Sequence, residues 1–363
     1  MDFTPTETQQ EVTRLAARVL ASARPVSVAA AQESAEPGAG SGETYDRALW
    51  KEYGQAGLLS LVLPDWLDGD GLGTADAAAL LTETGRHAPA VPALATLMLG
   101  VLPVTRWGDR ALQETALAGV ATGDTVLTAA LREPSDPMPG VPAATLSGGT
   151  VTGVKVGVPY AAEASWVLVP VADGGAAAVA VVSPAAAGVT LTRTHTSAGD
   201  PEYTLRLAGA PVAGVLGAGA AEGLYQFALA GACCLADGAL AASLDLTTRH
   251  IGTRQQFGRP LATFQAAAQH IADVYIAVRT LHLATLSACW RLDAGLDAGP
   301  DLDVAAYWLA EYGPAAARTC HHLHGGMGMD VTYPLPRLSA LIKDLARFTG
   351  GASYRLDRLG ERV

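Results

Sequence analysis

The sequence predicts an α+β protein with a helical domain at residues 1–123, a small all-β domain at 124–216 and a helical bundle at 217–363. The first region shows the periodicity of amphipathic helices. The second consists of short runs rich in Val and Thr that are punctuated by Gly and Pro, as in strands joined by turns. The third contains long Ala-rich helices that are apolar almost all round, which indicates burial in a bundle and in subunit contacts.

The N-terminal domain begins with a predicted amphipathic helix. Thr6 and Glu7 open this helix, which continues to Leu20. Residues 26–43 are rich in Ala, Ser, Gly and Pro and predict a loop. Further helices are predicted at 45–59 and 75–85, with a turn-rich connector at 61–73 between them.

The remaining elements follow from the same patterns. The predicted strands span 125–131, 144–147, 150–158, 166–171, 177–182, 189–191 and 203–207. The predicted C-terminal helices span 220–249, 261–294, 303–324 and 335–349, and a short tail follows. The helices contain all four cysteines without metal-ligand spacing, which predicts buried reduced thiols: Cys233, Cys234, Cys289 and Cys320.

Length and charge restrict the class of protein. A chain of 363 residues exceeds what one hydrophobic core usually serves, so two or three domains are expected. The formal net charge of -11 argues against nucleic-acid binding, which requires a basic surface. The polar, acidic N-terminus does not resemble a signal peptide, and no uninterrupted apolar run is long enough to span a bilayer. We therefore expect a cytoplasmic protein without a membrane partner.

The segment RQQFGRPLATFQ, residues 254–265, is the most informative part of the chain. Arg254 carries a planar guanidinium with five donors, which suits a diphosphate. Gly258 and Pro260 break the helix, Phe257 is predicted to be an apolar anchor beside the break, and Leu261 and Gln265 lie in the start of the next helix. The segment predicts a corner that binds a diphosphate, and the alternative is a helix-loop-helix corner with a surface arginine.

A second motif, HLHGGMG at residues 322–328, contains a glycine pair that lets other groups approach the backbone closely. Together the two segments resemble the acyl-CoA dehydrogenase signatures R-x-x-F-G-x-P-[IL]-x-x-F-Q and Q-x-x-G-G-x-G. The following residues, from Tyr333 onward, are similar to the branch common in actinobacterial lipid and steroid degradation. The resemblance covers nearly the whole chain and implies an N-terminal helical domain, a central small β-barrel or sandwich and a C-terminal four-helix bundle.

The resemblance also implies a cofactor and partners. In the family the arginine and the glycine pair meet the FAD diphosphate of a neighbouring subunit, so a homo- or hetero-oligomer, dimer or tetramer, is expected. The implied substrate is an acyl-CoA or acyl-carrier-protein thioester, with electron-transfer flavoprotein or oxygen as electron acceptor. The residues that the resemblance assigns to FAD binding are Arg254, Phe257, Leu261, Gln265, His322, Gly325, Gly326, Leu131 and Val158.

The resemblance fails at the catalytic positions. Dehydrogenation of a thioester needs a carboxylate base to remove the α proton while the flavin accepts hydride from the β carbon. The two positions from which the family supplies that base hold Thr349 and Ala228 here, so the catalytic residue is unknown. The Asp and Arg that often flank the second position are replaced by Phe227 and Leu229, an apolar face that fits either a bulky ligand or helix packing.

Two β-domain motifs have also changed. The family motif T-E-P-x-x-G-S-D is reduced to Arg132, Glu133 and Pro134, and Glu133 is expected to be structural. The motif K-x-x-[IV]-[ST] runs from Lys155 to Pro159, which has neither the hydroxyl that meets the flavin in the family nor an N–H.

Other ionisable residues are candidates for a replacement base or for metal ligands. His321, His322 and His324 lie close in sequence but face different directions on a helix, so no metal site is predicted. Glu222 is expected to be a solvated or capping carboxylate. Arg249 and Lys343 are expected on polar helix faces.

Three hypotheses remain. The first is a base-lacking subunit of a heteromeric acyl-CoA dehydrogenase of lipid metabolism, in an α2β2 heterotetramer. The second is a natural-product tailoring enzyme of the same fold that dehydrates, cyclises or oxidises a carrier-bound acyl chain. The third is a homomeric dehydrogenase with an unrecognised base.

Overall fold

The computed structural model describes residues 3–21 and 44–361. The predicted loop 26–43 lies outside the described residues. The N-terminal domain is helical, as predicted. Its helices are α1 (Glu7–Leu20), α2 (Arg47–Gln55), α3 (Thr74–His87), a π-helical segment (Leu94–Val101) that continues into α4 (Leu102–Trp107), and α5 (Arg110–Ala116).

The first helix begins where the sequence predicts because Thr6 and Gln9 form a reciprocal capping box. The helix predicted at 45–59 is shorter in the structure, since the chain turns after Gln55 and Gly57 adopts a left-handed backbone. The segment Leu94–Val101 was not predicted as a separate helix. It is apolar and buried over most of its surface, so it has no polar face to reveal its period.

The central domain is a small β-barrel. Its strands are β1 (Leu127–Ala129), β2 (Thr145–Ser147), β3 (Thr150–Pro159), β4 (Trp166–Asp173), β5 (Ala176–Val182), β6 (Val189–Thr194) and β7 (Glu202–Leu216). Strand β4 pairs with β5, β5 with β7, β7 with β3, β3 with β2, and β2 with β4, which closes the sheet, while β1 and β6 are added at its sides. Strand β7 is much longer than the predicted 203–207 because it continues through Gly209 and Gly214.

The C-terminal region is a helical bundle with a short two-stranded hairpin between its first two helices. Its first helix is long and apolar enough to cross a membrane, but 83% of its most apolar window is buried inside the protein, as in a core helix. The elements are α6 (Ala220–Thr253), β8 (Gln255–Gln256), β9 (Arg259–Pro260), α7 (Gln265–Asp293), α8 (Gly299–His324), α9 (Pro334–Phe348) and α10 (Ala352–Gly360).

The guanidinium of Arg337 on α9 joins all three domains. It donates to the carbonyl of Ala88 in the helical domain at 2.9 Å, to the carbonyl of Ala198 in the β domain, and to both carboxylate oxygens of Asp200 at 2.9 and 3.1 Å. Arg337 is 4% exposed. A buried guanidinium is stable only with such partners, so this contact fixes the relative positions of the domains.

We predict that Arg337→Met lowers the free energy of unfolding by about 3–5 kcal/mol, because Asp200 and two carbonyl groups lose their partner. Urea unfolding of the two proteins tests this. The matched control is Arg14→Met, which removes an exposed helical ion pair with Glu11 and should change stability by less than about 0.5 kcal/mol. Equal effects of the two substitutions would show that the Arg337 contact does not hold the domains.

Candidate functional site

The corner after α6 presents Arg254 to solvent. Arg254 ends the helix with an extended backbone, and its N–H donates to the carbonyl of His250 at 2.8 Å. Within the described residues its guanidinium has no hydrogen bond or ion pair. An exposed guanidinium without an intramolecular partner can bind an anion at little cost.

The hairpin that follows turns at Phe257 and Gly258, which both have positive φ, 53° and 80°. Phe257 is 93% exposed. The prediction that Phe257 is an apolar anchor is therefore wrong for the single chain, because its ring lies at the exposed tip of the hairpin, beside the Phe264 ring with centroids 6.3 Å apart.

The glycine pair follows α8 at an open position. Gly325 has a φ of +61°, and a Cβ atom at Gly325 or Gly326 would have no other atom within 4 Å. The backbone here is accessible to a ligand or to another chain. His322 is exposed, and its ring packs edge-on against His270 at 5.4 Å.

The structure brings the corner and the glycine pair together, although they are about 70 residues apart in sequence. His250 and His324 stack at 4.5 Å between ring centroids, at an angle of 19°. An apolar groove of about 330 Å³ runs beside them, and Gln265 is exposed at the start of α7. The groove is lined by Gln256, Phe257, Leu261, Phe264, Ala266, Ala267, His270, His322 and Leu323.

The β-domain positions form a structural core. Leu131 is 2% exposed and Val158 is 0% exposed, so their side chains pack in the domain and only their backbone can meet a ligand. Glu133 accepts hydrogen bonds from the Lys155 ammonium at 2.8 Å and from the amides of Ala143 and Ala144. The predicted structural role of Glu133 agrees with these contacts.

Where the N-terminal helical domain, the β-barrel and the bundle meet lies a small interdomain cleft that includes Leu94, Pro159, Tyr160, Leu235 and Phe348. Its volume is about 100 Å³. Binding pockets for cofactors and drug-sized ligands are usually about 300–1,000 Å³. The cleft is therefore too small for a flavin ring and an acyl chain together.

Charged side chains bridge this cleft. Arg347 on α9 binds Glu202 through two hydrogen bonds of 2.6 and 3.1 Å. Asp344 accepts from the amides of Ser197 and Ala198 at 2.9 and 2.8 Å. The guanidinium of Arg132 lies beside Gly157, whose Cβ would be 3.3 Å from it and 3.5 Å from the Glu202 carboxyl carbon. Burial and the neighbouring Arg347 lower the pKa of Arg132.

Sequence patterns do not predict this bridge. Its only local signal is the spacing of Arg337, Asp344 and Arg347, which places their side chains toward one side of α9. Their partners Asp200 and Glu202 lie in a loop and strand far away in sequence, so periodicity does not reveal them.

Thr349 at the first base position is closed off. It is 0% exposed, its hydroxyl donates to the carbonyl of Ala346, and its own carbonyl accepts from Arg355. The next residue, Gly350, is covered as well, since a Cβ there would lie 2.6 Å from Tyr354 and 3.1 Å from Pro137. No substrate reaches this position in the described structure.

Ala228 at the second base position is also 0% exposed. Phe227 and Leu229 are buried, and the Phe227 ring packs against Trp107 with ring centroids 5.8 Å apart. Of the two interpretations of this apolar face, helix packing accounts for most of it. Phe227 also borders a cavity of about 470 Å³ between the connector and the end of α7.

The remaining candidates have ordinary surroundings. Glu222 is exposed in the first turn of α6, and Arg249 and Lys343 are exposed. His321 contacts the Ser339 hydroxyl, while His324 contacts the Cys320 carbonyl and Tyr333. Among residues 3–21 and 44–361, no group of three His, Cys, Asp or Glu side chains is arranged to hold a metal ion. The four cysteines are buried and reduced.

Comparison with known proteins finds relatives along the chain. The family model for the N-terminal domain of acyl-CoA dehydrogenase matches residues 6–124, and the model for its C-terminal domain matches residues 219–363. Acyl-CoA dehydrogenase FadE28 of Mycobacterium tuberculosis is 46% identical over 364 residues, which cover 100% of this chain and 99% of that protein.

Solved structures share the fold. The Tcur3481-Tcur3483 steroid ACAD has a TM-score of 0.90 and 30% identity, covering 98% of this chain and 97% of that chain. The ChsE4-ChsE5 complex from Mycobacterium tuberculosis has a TM-score of 0.90 and 32% identity, covering 100% and 98%. The FAD complex of PigA, at 20% identity and a TM-score of 0.83 over 100% and 99%, is similar in fold alone.

The buried Glu133–Lys155 pair predicts a pH-dependent stability. Burial opposes ionisation of Glu133, but the hydrogen bonds from Lys155, Ala144 and Ala143 outweigh it and lower the pKa of Glu133. Its ionisation therefore stabilises the fold above the ordinary carboxyl pKa, and this contribution is lost as the pH falls through the lowered value.

We expect Glu133→Gln to reduce the free energy of unfolding by about 3–5 kcal/mol at neutral pH, because Lys155 loses its buried partner. The difference from the unsubstituted chain should shrink as urea unfolding is repeated at increasingly acidic pH. Glu114→Gln, which removes an exposed pair, is the control. A difference that stays constant with pH would contradict the assignment.

A second prediction concerns the closed base position. Thr349→Glu should not give the isolated chain dehydrogenase activity, and it should lower the free energy of unfolding by about 3 kcal/mol or more, because a carboxylate is placed in a filled, buried position. Thr349→Ser keeps the hydroxyl and is the control. Turnover of an acyl thioester by the glutamate variant alone would show that the position opens to substrate.

Proposed function

We propose that this chain, which belongs to the acyl-CoA dehydrogenase family, is the base-lacking subunit of a heteromeric flavoenzyme that introduces an α,β double bond into an acyl thioester. One contrast carries the proposal. The corner at Arg254, Gly325 and Gly326 faces outward with its donors available, whereas the chain's own interdomain cleft is bridged by charged side chains.

The outward corner fits FAD bound mainly by another subunit. Arg254 and the Gly325–Gly326 backbone would hold its diphosphate, while Gln265, His322 and the apolar groove near Phe257 and Leu261 would contact the rest of its adenosine half. Bound FAD supplies the hydride acceptor for the β carbon of the thioester. The role of this chain is then to bind and orient, and the partner contributes the base.

The chain's own cleft fits FAD poorly. Pro159 offers neither a hydroxyl nor an N–H beside the cleft. The carboxylates that border the cleft are all engaged, Glu202 by Arg347, Asp200 by Arg337 and Asp344 by two backbone amides. This argues against a homomeric dehydrogenase with an unrecognised base there.

The proposed substrate class is supported by similarity to two solved structures. The Tcur3481-Tcur3483 steroid ACAD and the ChsE4-ChsE5 complex are both at least 30% identical to this chain with a TM-score of 0.90. These similarities support a two-chain assembly and a thioester with a bulky polycyclic or branched acyl group. We propose CoA as the carrier of the acyl group and electron-transfer flavoprotein or oxygen as the acceptor.

The test is flavin content and turnover of the chain purified alone and after co-expression with the product of a neighbouring acyl-CoA dehydrogenase gene. We expect little bound FAD and no turnover for the chain alone, and about one FAD for each pair of chains in the complex. Full FAD occupancy with turnover by the single chain would contradict the proposal.

In the complex, Arg254→Ala should weaken FAD binding by about tenfold to a hundredfold, because a charge-assisted contact with the diphosphate is lost. Arg206→Ala, on an exposed position of β7, is the matched control and should bind FAD as the unsubstituted complex does. Equal FAD affinity of both variants would show that the diphosphate lies elsewhere.

A further inference from the structure

Histidines are concentrated at the Arg254 corner. The chain contains eight histidines. Those around this corner are in contact as pairs or neighbours, and they belong to the ends of α6 and α8 and the first turns of α7. They are His250, His270, His321, His322 and His324.

His324 is fixed in one orientation. It is 5% exposed, and its Nδ1 lies 2.8 Å from the carbonyl oxygen of Cys320. Since a carbonyl only accepts, Nδ1 donates this hydrogen bond, and Nε2 lies 3.2 Å from the hydroxyl oxygen of Tyr333. His324 is the residue immediately before Gly325, so this anchoring determines where the glycine pair begins.

His250 connects this anchor to Arg254. Its ring stacks on His324, and its carbonyl accepts the N–H of Arg254 at 2.8 Å, one helical turn later on α6. A change in the packing of the two rings would shift the end of α6 relative to the end of α8. Arg254 and the glycine pair lie at those two ends.

We propose that His250 and His324 are positioning residues that set the distance between Arg254 and the Gly325–Gly326 backbone, and that a diphosphate bound between them draws a proton onto His250. The proposal rests on the proposed function of this corner as a diphosphate site. It adds His250, which lies outside both sequence motifs, a role for His324 within the second motif, and a proton to the binding step.

The charges around His250 determine the sign of the effect. The charged and titratable groups around the His250–His324 pair are Arg249 and Arg254 on α6, His321 on α8 and Tyr333 before α9. The described residues place no carboxylate in an ion pair with His250 or Arg254. Burial, His324 and Arg254 lower the pKa of His250 in the free chain. His250 is therefore neutral at neutral pH, and a bound dianion raises its pKa.

Binding then takes up a proton. Because the pKa of His250 is higher in the complex than in the free chain, affinity rises as the pH falls through the higher value and levels off below the lower one. Each unit by which binding raises the pKa gives about a tenfold gain in affinity at acidic pH.

The experiment measures the FAD affinity of the full chain in its complex with the co-expressed partner, after the flavin has been removed, by titration calorimetry at about pH 6 and about pH 8, the range in which histidine titrates. Each variant of the chain is measured in this same complex. FAD is a suitable probe because both phosphates of its diphosphate are esterified, so the ligand itself does not take up a proton in this range. Repeating the titration in two buffers with different ionisation enthalpies gives the number of protons taken up.

For the unsubstituted chain we expect tighter binding at the lower pH, with proton uptake. His250→Phe keeps a stacked ring but cannot be protonated, so the affinity ratio between the two pH values should fall to about one. His250→Ala also removes the stack and should lose about tenfold in affinity at both pH values. His195→Phe, on an exposed loop of the β domain, is the control and should keep the pH dependence.

The outcomes distinguish failure of the histidine proposal from failure of the proposed diphosphate site. If the unsubstituted chain binds FAD with the same affinity and proton balance as His250→Phe at both pH values, this inference is wrong while the diphosphate site stands. If FAD binding is absent or unaffected by Arg254→Ala, the proposed site is wrong and the inference falls with it. Thermal unfolding of each variant verifies the fold, and the phenylalanine variant decides the matter if the alanine variant is unstable.

Discussion

The buried guanidinium of Arg337 is the constraint on which the arrangement of this molecule depends. A cation that is 4% exposed requires acceptors on every side, and here they come from the carbonyls of Ala88 and Ala198 and the carboxylate of Asp200. These groups belong to two other domains, so satisfying one side chain aligns three domains. Once the loop that contains Ala198 and Asp200 lies on α9, Asp344 meets its amides and Arg347 reaches Glu202.

The closed cleft and the open corner are therefore two results of one geometry. The same helix, α9, whose side chains bridge the cleft, follows directly after the glycine pair. Under the proposed function, a family fold whose own cleft is bridged and whose outward donors are exposed would complete a site in another chain. This accounts for the presence of binding motifs beside Thr349 and Ala228, which the sequence alone leaves as a contradiction.

The elements that the sequence predicts well are those with a local cause. The capping box at Thr6 starts α1, the Val-rich runs form the strands, and α8 ends at Gly325 as expected. The π-helical segment Leu94–Val101 has no polar face, so its period is invisible. The bridge across the cleft joins residues more than a hundred positions apart, and single-sequence patterns contain no information on such pairs. The exposure of Phe257 follows from its place at the tip of the hairpin, which the local sequence does not specify.

The exposure of the Phe257 ring affects how this chain behaves in a cell that makes it in excess. Its ring is 93% exposed and its backbone is left-handed, an arrangement that is unfavourable for a bulky residue in an isolated chain. Uncovered aromatic side chains promote nonspecific association, and covering them releases the water they order. If the proposed partner chain covers the hairpin, a cell that makes this chain in excess of that partner accumulates molecules with an exposed apolar surface. Matched synthesis of the two chains, as from adjacent genes on one transcript, avoids that burden.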